Sequence, residues 1–194
     1  MLTFFLYLVF NPYISAIYLL PDAYSNDNFD NYYQFKFENT FSRVNPALGI
    51  YAEIIHGQNN YMADDYFIGS GNNVSLIAGA IGMQTVFFIN EYMDAAFNFG
   101  YYHGKICYPV ARDSGIIDYT SDTRRSVGFE TTVTVFHKIN NFRIGMRWHG
   151  SIVPFAARAE PVDHYYGPIR YSLSYVNLNS FGVGITFNFY KEEK

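Results

Sequence analysis

Eight charged residues stand out because they recur at alternate positions of extended runs. Lys36, Arg143, Arg147 and Arg170 are matched by Glu38, Glu53, Asp94 and Glu130. Side chains two residues apart on a strand point the same way, so Lys36 shares a face with Glu38, and Arg143 with Arg147. Four charges of each sign on one face describe a paired interior, since an isolated buried charge is costly and a matched one is tolerated. A catalytic reading competes for part of the same set. Glu130 with His149 and Ser126 or Ser151 supplies an acid, a base and a hydroxyl, the residue types of acyl transfer. In a hairpin turning at Lys138–Asn141, Glu130 falls across or diagonally from His149 and Arg147. The ion-paired lumen accounts for these residues without catalysis and is preferred, so an enzyme is not expected.

Other chemistry is thin. His56, His103, His137, His149 and His164 lack metal-ligand spacing, and Cys107 alone permits no intrachain disulfide or cysteine-based zinc site. No metal or cofactor is expected. Asp64, Asp65, Asp113, Asp118 and Asp122 could gather around calcium, although a solvated loop surface is the commoner use of such residues. Gly69-Ser-Gly71 is not followed by the Lys-Ser/Thr of a phosphate loop. The balance of 13 basic and 17 acidic residues gives nothing to draw the chain to nucleic acid.

These side chains must be positioned by strands. Beyond Asp30 the hydrophobic pattern has period 2, with almost no 3.6 period. Phe181, Val183, Ile185, Phe187 and Phe189 alternate with Gly182, Gly184, Thr186 and Asn188. Similar alternation marks Tyr33–Ser42, Leu48–Ile54, Tyr92–Tyr101, Val127–Val135, Phe142–Trp148 and Ile169–Tyr175. Asn177–Ser180 reads as a tight turn joining the last two runs. Val74–Ile89 is apolar on both faces, which leaves its orientation open. These eight runs predict one barrel domain over residues 31–190. The connections 57–72, 104–124 and 151–168 are then long, and all fall at the end where the termini emerge. Residues 1–20 are expected to be a signal peptide: Leu2–Phe10 is an uncharged apolar run, followed by the small pair Ser15-Ala16.

Alternation alone does not say which face points inward; volume does. Nineteen Tyr, nineteen Phe and one Trp make 20 % of the 194 residues, whereas charged residues are only 15 %, against about 25 % in an average protein. An eight-stranded barrel has an interior just wide enough for its side chains. The aromatic face is too bulky for that space, and the opposite face, rich in Gly, Ala, Ser and Thr, suits it. The expected fold is therefore an all-β, up-and-down antiparallel transmembrane barrel of about eight strands, aromatic side out.

This pattern resembles the small bacterial outer-membrane β-barrels of OmpA, OmpX and OmpW type, over about residues 31–190. The aromatic ending Phe187-Asn-Phe189-Tyr190 is similar to the C-terminal signal read by the barrel-assembly machinery, with Lys191–Lys194 beyond it. The resemblance implies an outer-membrane location, contact with membrane lipid and lipopolysaccharide, insertion by that machinery, and a monomer. It implies a structural or surface-interaction role with a narrow ion-paired lumen. A narrow channel for small solutes, a lipid-modifying barrel enzyme and a soluble lipocalin-like carrier are the alternatives.

Overall fold

The structure is a computed structural model, and it describes residues 11–21, 31–42, 44–61, 72–111, 117–140, 142–154 and 178–189. Eight strands follow in chain order: β1 (Asn11–Pro21), β2 (Asn31–Thr40), β3 (Ala47–Tyr61), β4 (Asn72–Asn90), β5 (Met93–Ala111), β6 (Ile117–Ile139), β7 (Phe142–Ile152) and β8 (Ser180–Phe189). Each pairs antiparallel with its chain neighbours, and β1 closes the ring against β8, from Tyr13↔Asn188 to Pro21↔Ser180. Closure leaves no open edge around the ring, the condition a sheet must meet to cross a bilayer.

Burial follows the alternation. Phe35, Ile54, Ile81, Phe97, Trp148 and Ile185 are exposed on the outside, while Gln34, Glu53, Asn98, Glu130 and Arg147 are buried inside. A wall carrying exposed apolar side chains all the way round needs lipid as its solvent. Among the described residues no helix is long and apolar enough to cross a membrane; the crossing is made by strands.

Two predicted elements are corrected. Asn11–Pro21, assigned above to the latter half of a leader, is β1, so the barrel spans 11–189 and not 31–190. Its alternation is masked because both faces are largely apolar: Ile14, Ala16, Tyr18 and Leu20 meet lipid, whereas Ile17 and Leu19 join a buried cluster. Residues 1–10 of that leader lie outside the described residues. The run 169–175 also lies outside them, and the wall passes directly from β7 to β8, paired from Phe142↔Phe189 to Ser151↔Ser180. The tight turn expected at Asn177–Ser180 would have set that run beside β8, whose neighbours are instead β7 and β1.

Exchanging that strand for β1 reverses the parity of every connection. The termini of the barrel now share an end with the short turns at 41–46, 91–92 and 140–141, and the segments 22–30, 62–71, 112–116 and 153–179 leave from the other end. Asn140 takes a φ of 51°, the left-handed conformation a two-residue hairpin turn requires and Asn tolerates. On the long-connection side β5 and β6 stay paired as far as Ala111↔Ile117, whereas β7 last pairs at Phe129↔Ile152. This hairpin rises above its neighbour.

Candidate functional site: the barrel interior

Alternation sends the polar half of each strand into the lumen, and the register decides which charges meet. Three groups result. Near the short-turn end, Arg143 reaches Asp94 (Nη2 to Oδ2, 2.9 Å) and donates from Nε to Asn188 Oδ1 at 2.9 Å, with its guanidinium over the Phe136 ring. Tyr13 donates its hydroxyl to the same Asp94 oxygen at 3.0 Å. Next, Arg147 pairs with Glu38 and donates from Nε to Thr134 Oγ1 at 3.0 Å. At mid-height Lys36 pairs with Glu130 and with Glu53, the latter at 3.3 Å. Glu130 also accepts from Tyr102 Oη at 2.8 Å, Asn98 Nδ2 at 3.2 Å and Gln34 Nε2 at 3.2 Å. Gln34 holds Glu53 as well, at 2.6 Å.

The hairpin geometry expected between Glu130 and Arg147 is corrected by this pattern. Glu130 stands opposite Ser151, four pairs from Thr134↔Arg147, and its cation is Lys36, reached across the lumen from β2. Arg147 instead reaches across to Glu38, also on β2. In a narrow barrel the interior chord between non-adjacent strands is as short as the path along a strand. Of the eight predicted lumen charges, seven are buried here, and Arg170 lies outside the described residues. Tyr13, Gln34, Asn98 and Tyr102 belong to the same network and were missed; Gln34 shares the inward parity of Lys36, and Asn98 and Tyr102 that of Asp94, which was the signal available, whereas Tyr13 stands on β1, where no charge marks the inward face.

The catalytic candidates converge only in part: Glu130 stands opposite Ser151 and diagonal to His149, but neither ring nitrogen of His149 has a hydrogen-bond partner among the described residues, and Ser126 lies apart. His149 faces Thr132, and Ser126 faces Tyr102, six residues further along β6, which is roughly 20 Å of strand. Ser126 donates to the carbonyls of Pro154 (2.8 Å) and Val127 (3.1 Å), and Ser151 donates to that of Leu178 at 2.9 Å. No metal-holding group of His, Cys, Asp or Glu occurs among the described residues. Of the acidic loop positions, Asp64, Asp65 and Asp113 lie outside the described residues.

Above the charged layers the lumen turns apolar. Leu19, Tyr32, Ile55, Leu76, Ile106 and Leu178 form a buried cluster towards the long-connection end. Leu178 is tied there by its amide, which donates to the Val153 carbonyl at 3.1 Å. This plug also explains why β4 looked apolar on both faces: Leu76, Ala78 and Ala80 enter the cluster while Ile77, Ile81 and Met83 meet lipid. Past the mid-height charges runs the row Tyr51–Gly82–Gly100–Gly128. The three glycines leave the space that the Tyr51 and Tyr102 rings fill.

A closed eight-stranded ring with a lipid-facing exterior and a filled, ion-paired interior defines a small transmembrane β-barrel. Solved structures give the same fold. The attachment invasion locus protein Ail of Yersinia pestis, crystallised with the heparin analogue sucrose octasulfate, superposes with a TM-score of 0.51 at 15 % identity, over 93 % of this chain and 99 % of that one. Neisserial surface protein A gives 0.52 at 9 % identity, over 94 % and 96 %. No protein-family model matches the sequence, and no curated protein does.

Proposed function

We propose that the protein is a bacterial outer-membrane barrel that works through its outer surface and not through its lumen. The observation that carries this is the doubly closed interior. Three cations and four carboxylates cross-link β2, β3, β5, β6 and β7, and an apolar plug lies above them. A conducting pore needs a hydrated path, and buried paired charges under an apolar cluster leave none. The long connections then face the exterior, where a surface-interaction role is exercised, and lipopolysaccharide is the lipid they meet. Insertion is by the barrel-assembly machinery, and the protein works as a monomer. Export rests on the apolar segment Leu2–Phe10, with cleavage ahead of β1, since removal through residue 16 or 20 would take a strand out of the wall.

Single-channel recording in planar bilayers tests the sealed lumen. The folded protein should give no stepwise current at any voltage it survives, and steady open levels would overturn the proposal in favour of the narrow channel. N-terminal sequencing of membrane-isolated protein tests the leader: an intact Met1 would reject cleavage.

A further inference from the structure

The outer wall carries no Asp or Glu at any outward-facing strand position among the described residues, yet it carries a compact group of bases. His103 and Lys105 on β5 and Arg125 on β6 project outward, with His56 on β3 beside them. The register sets them in two adjacent rows: Ile54–Gly79–His103–Arg125, and His56–Ile77–Lys105–Thr123. Neighbouring strands lie about 4.8 Å apart, so His103 and Arg125 can close on one anionic group, with Lys105 about 7 Å along β5. Gly79 leaves the wall open beside His103, with only the Glu53 carbonyl near its missing side chain. Continued round the barrel, the His56 row runs Tyr33–Tyr18–Val183–Trp148 and the His103 row Phe35–Ala16–Ile185–Met146, and neither bears a charge there.

Height and underlying surface point to the ligand. Ten residues separate Met93, at the short turn, from His103. At about 3.3 Å each and about 40° of tilt they carry the chain about 25 Å along the axis, the height of the apolar band of such barrels. The bases therefore sit where hydrocarbon gives way to headgroups. Directly below them an apolar groove of about 630 Å³ runs over Ala52, Ile81, Met83, Phe99, Tyr101 and Val127. Ala52 makes the hollow, standing among larger neighbours.

We propose that this face holds one phosphorylated lipid of the leaflet on the long-connection side, its acyl chain in the Ala52 groove and its phosphate on His103, Lys105 and Arg125. Clustered bases at a membrane surface attract anionic headgroups, and the groove adds buried chain contact. The inference rests on the membrane reading above.

Native mass spectrometry of the full-length protein in detergent micelles tests it, with dioleoyl phosphatidic acid against dioleoylglycerol, which has the same chains without the phosphate. The wild type should retain a single phosphatidic acid with a preference of about tenfold or more, equivalent to about 1.4 kcal/mol. The triple change His103→Gln, Lys105→Gln, Arg125→Gln should erase the preference, and Ala52→Trp should weaken retention of both lipids. His137→Gln, a base at the other end of the wall, should change neither. Equal retention of the two lipids, a preference that survives the triple change, or release by excess inorganic phosphate would overturn the proposal. Heat-modifiable migration on gels reports folding separately: a chain that forms no barrel in detergent overturns the membrane reading itself.

Discussion

Among the described residues Arg147 pairs with one carboxylate, Glu38, and both are almost fully buried. Removing the arginine leaves that carboxylate unpaired in a dry lumen, a loss of about 3–5 kcal/mol. Arg147→Met should therefore lower stability strongly in a urea unfolding series in micelles or vesicles. Adding Glu38→Gln should recover part of the loss, and adding Glu130→Gln should recover none, because Glu130 serves Lys36. A neutral Arg147→Met would mean a hydrated lumen. Glu130 itself accepts from Lys36, Tyr102, Asn98 and Gln34. Such convergence on one carboxylate makes its donors interdependent, so their losses should not add.

Among the elements, β3, β4, β5 and β6 are linked by the Tyr51–Gly82–Gly100–Gly128 row. A side chain at Gly100 would collide with the Tyr51 ring, so Gly100→Val should cost about 1–3 kcal/mol through overpacking. Gly150 faces outward with only Thr131 Oγ1 near its missing side chain, at 3.6 Å. Gly150→Ala should be close to neutral in the same unfolding assay. Gly100 was visible in the sequence as a small residue on the lumen face, but its partner was not. Tyr51 reaches sideways over two neighbouring strands, and periodicity along one strand carries no information about that.

Legibility varied along the chain for a physical reason. Where one face met lipid and the other met charge, as in β2 and β7, alternation was plain, and Lys36, Glu38, Arg143 and Arg147 could be placed inward from sequence. Where a strand passed the apolar plug, both faces turned hydrophobic and the signal vanished. That is why β1 reads as part of a leader and β4 shows no clear orientation. The partner of each charge was beyond reach as well. Cross-lumen pairs depend on the closed register, and closure hinged on the strand that was misread.

For the whole molecule, an aromatic and aliphatic exterior sets solubility. The protein should extract only with detergent, give a β-dominated circular dichroism spectrum with little helix, and migrate differently on gels before and after boiling. A monodisperse monomer in plain buffer at high concentration would show that the exposed side chains in fact find cover, and would favour the carrier barrel.

The seam between β1 and β8 also governs time. Asn11 and Phe189 belong to the two strands that meet last along the chain, and every other ladder is local by comparison. Until β8 exists, β1 and β7 both present bare backbone that hydrocarbon will not accept. The cylinder therefore cannot enter the bilayer strand by strand as the polypeptide grows. The chain must be complete first, and in the interval its lipid-facing rings have no lipid to face.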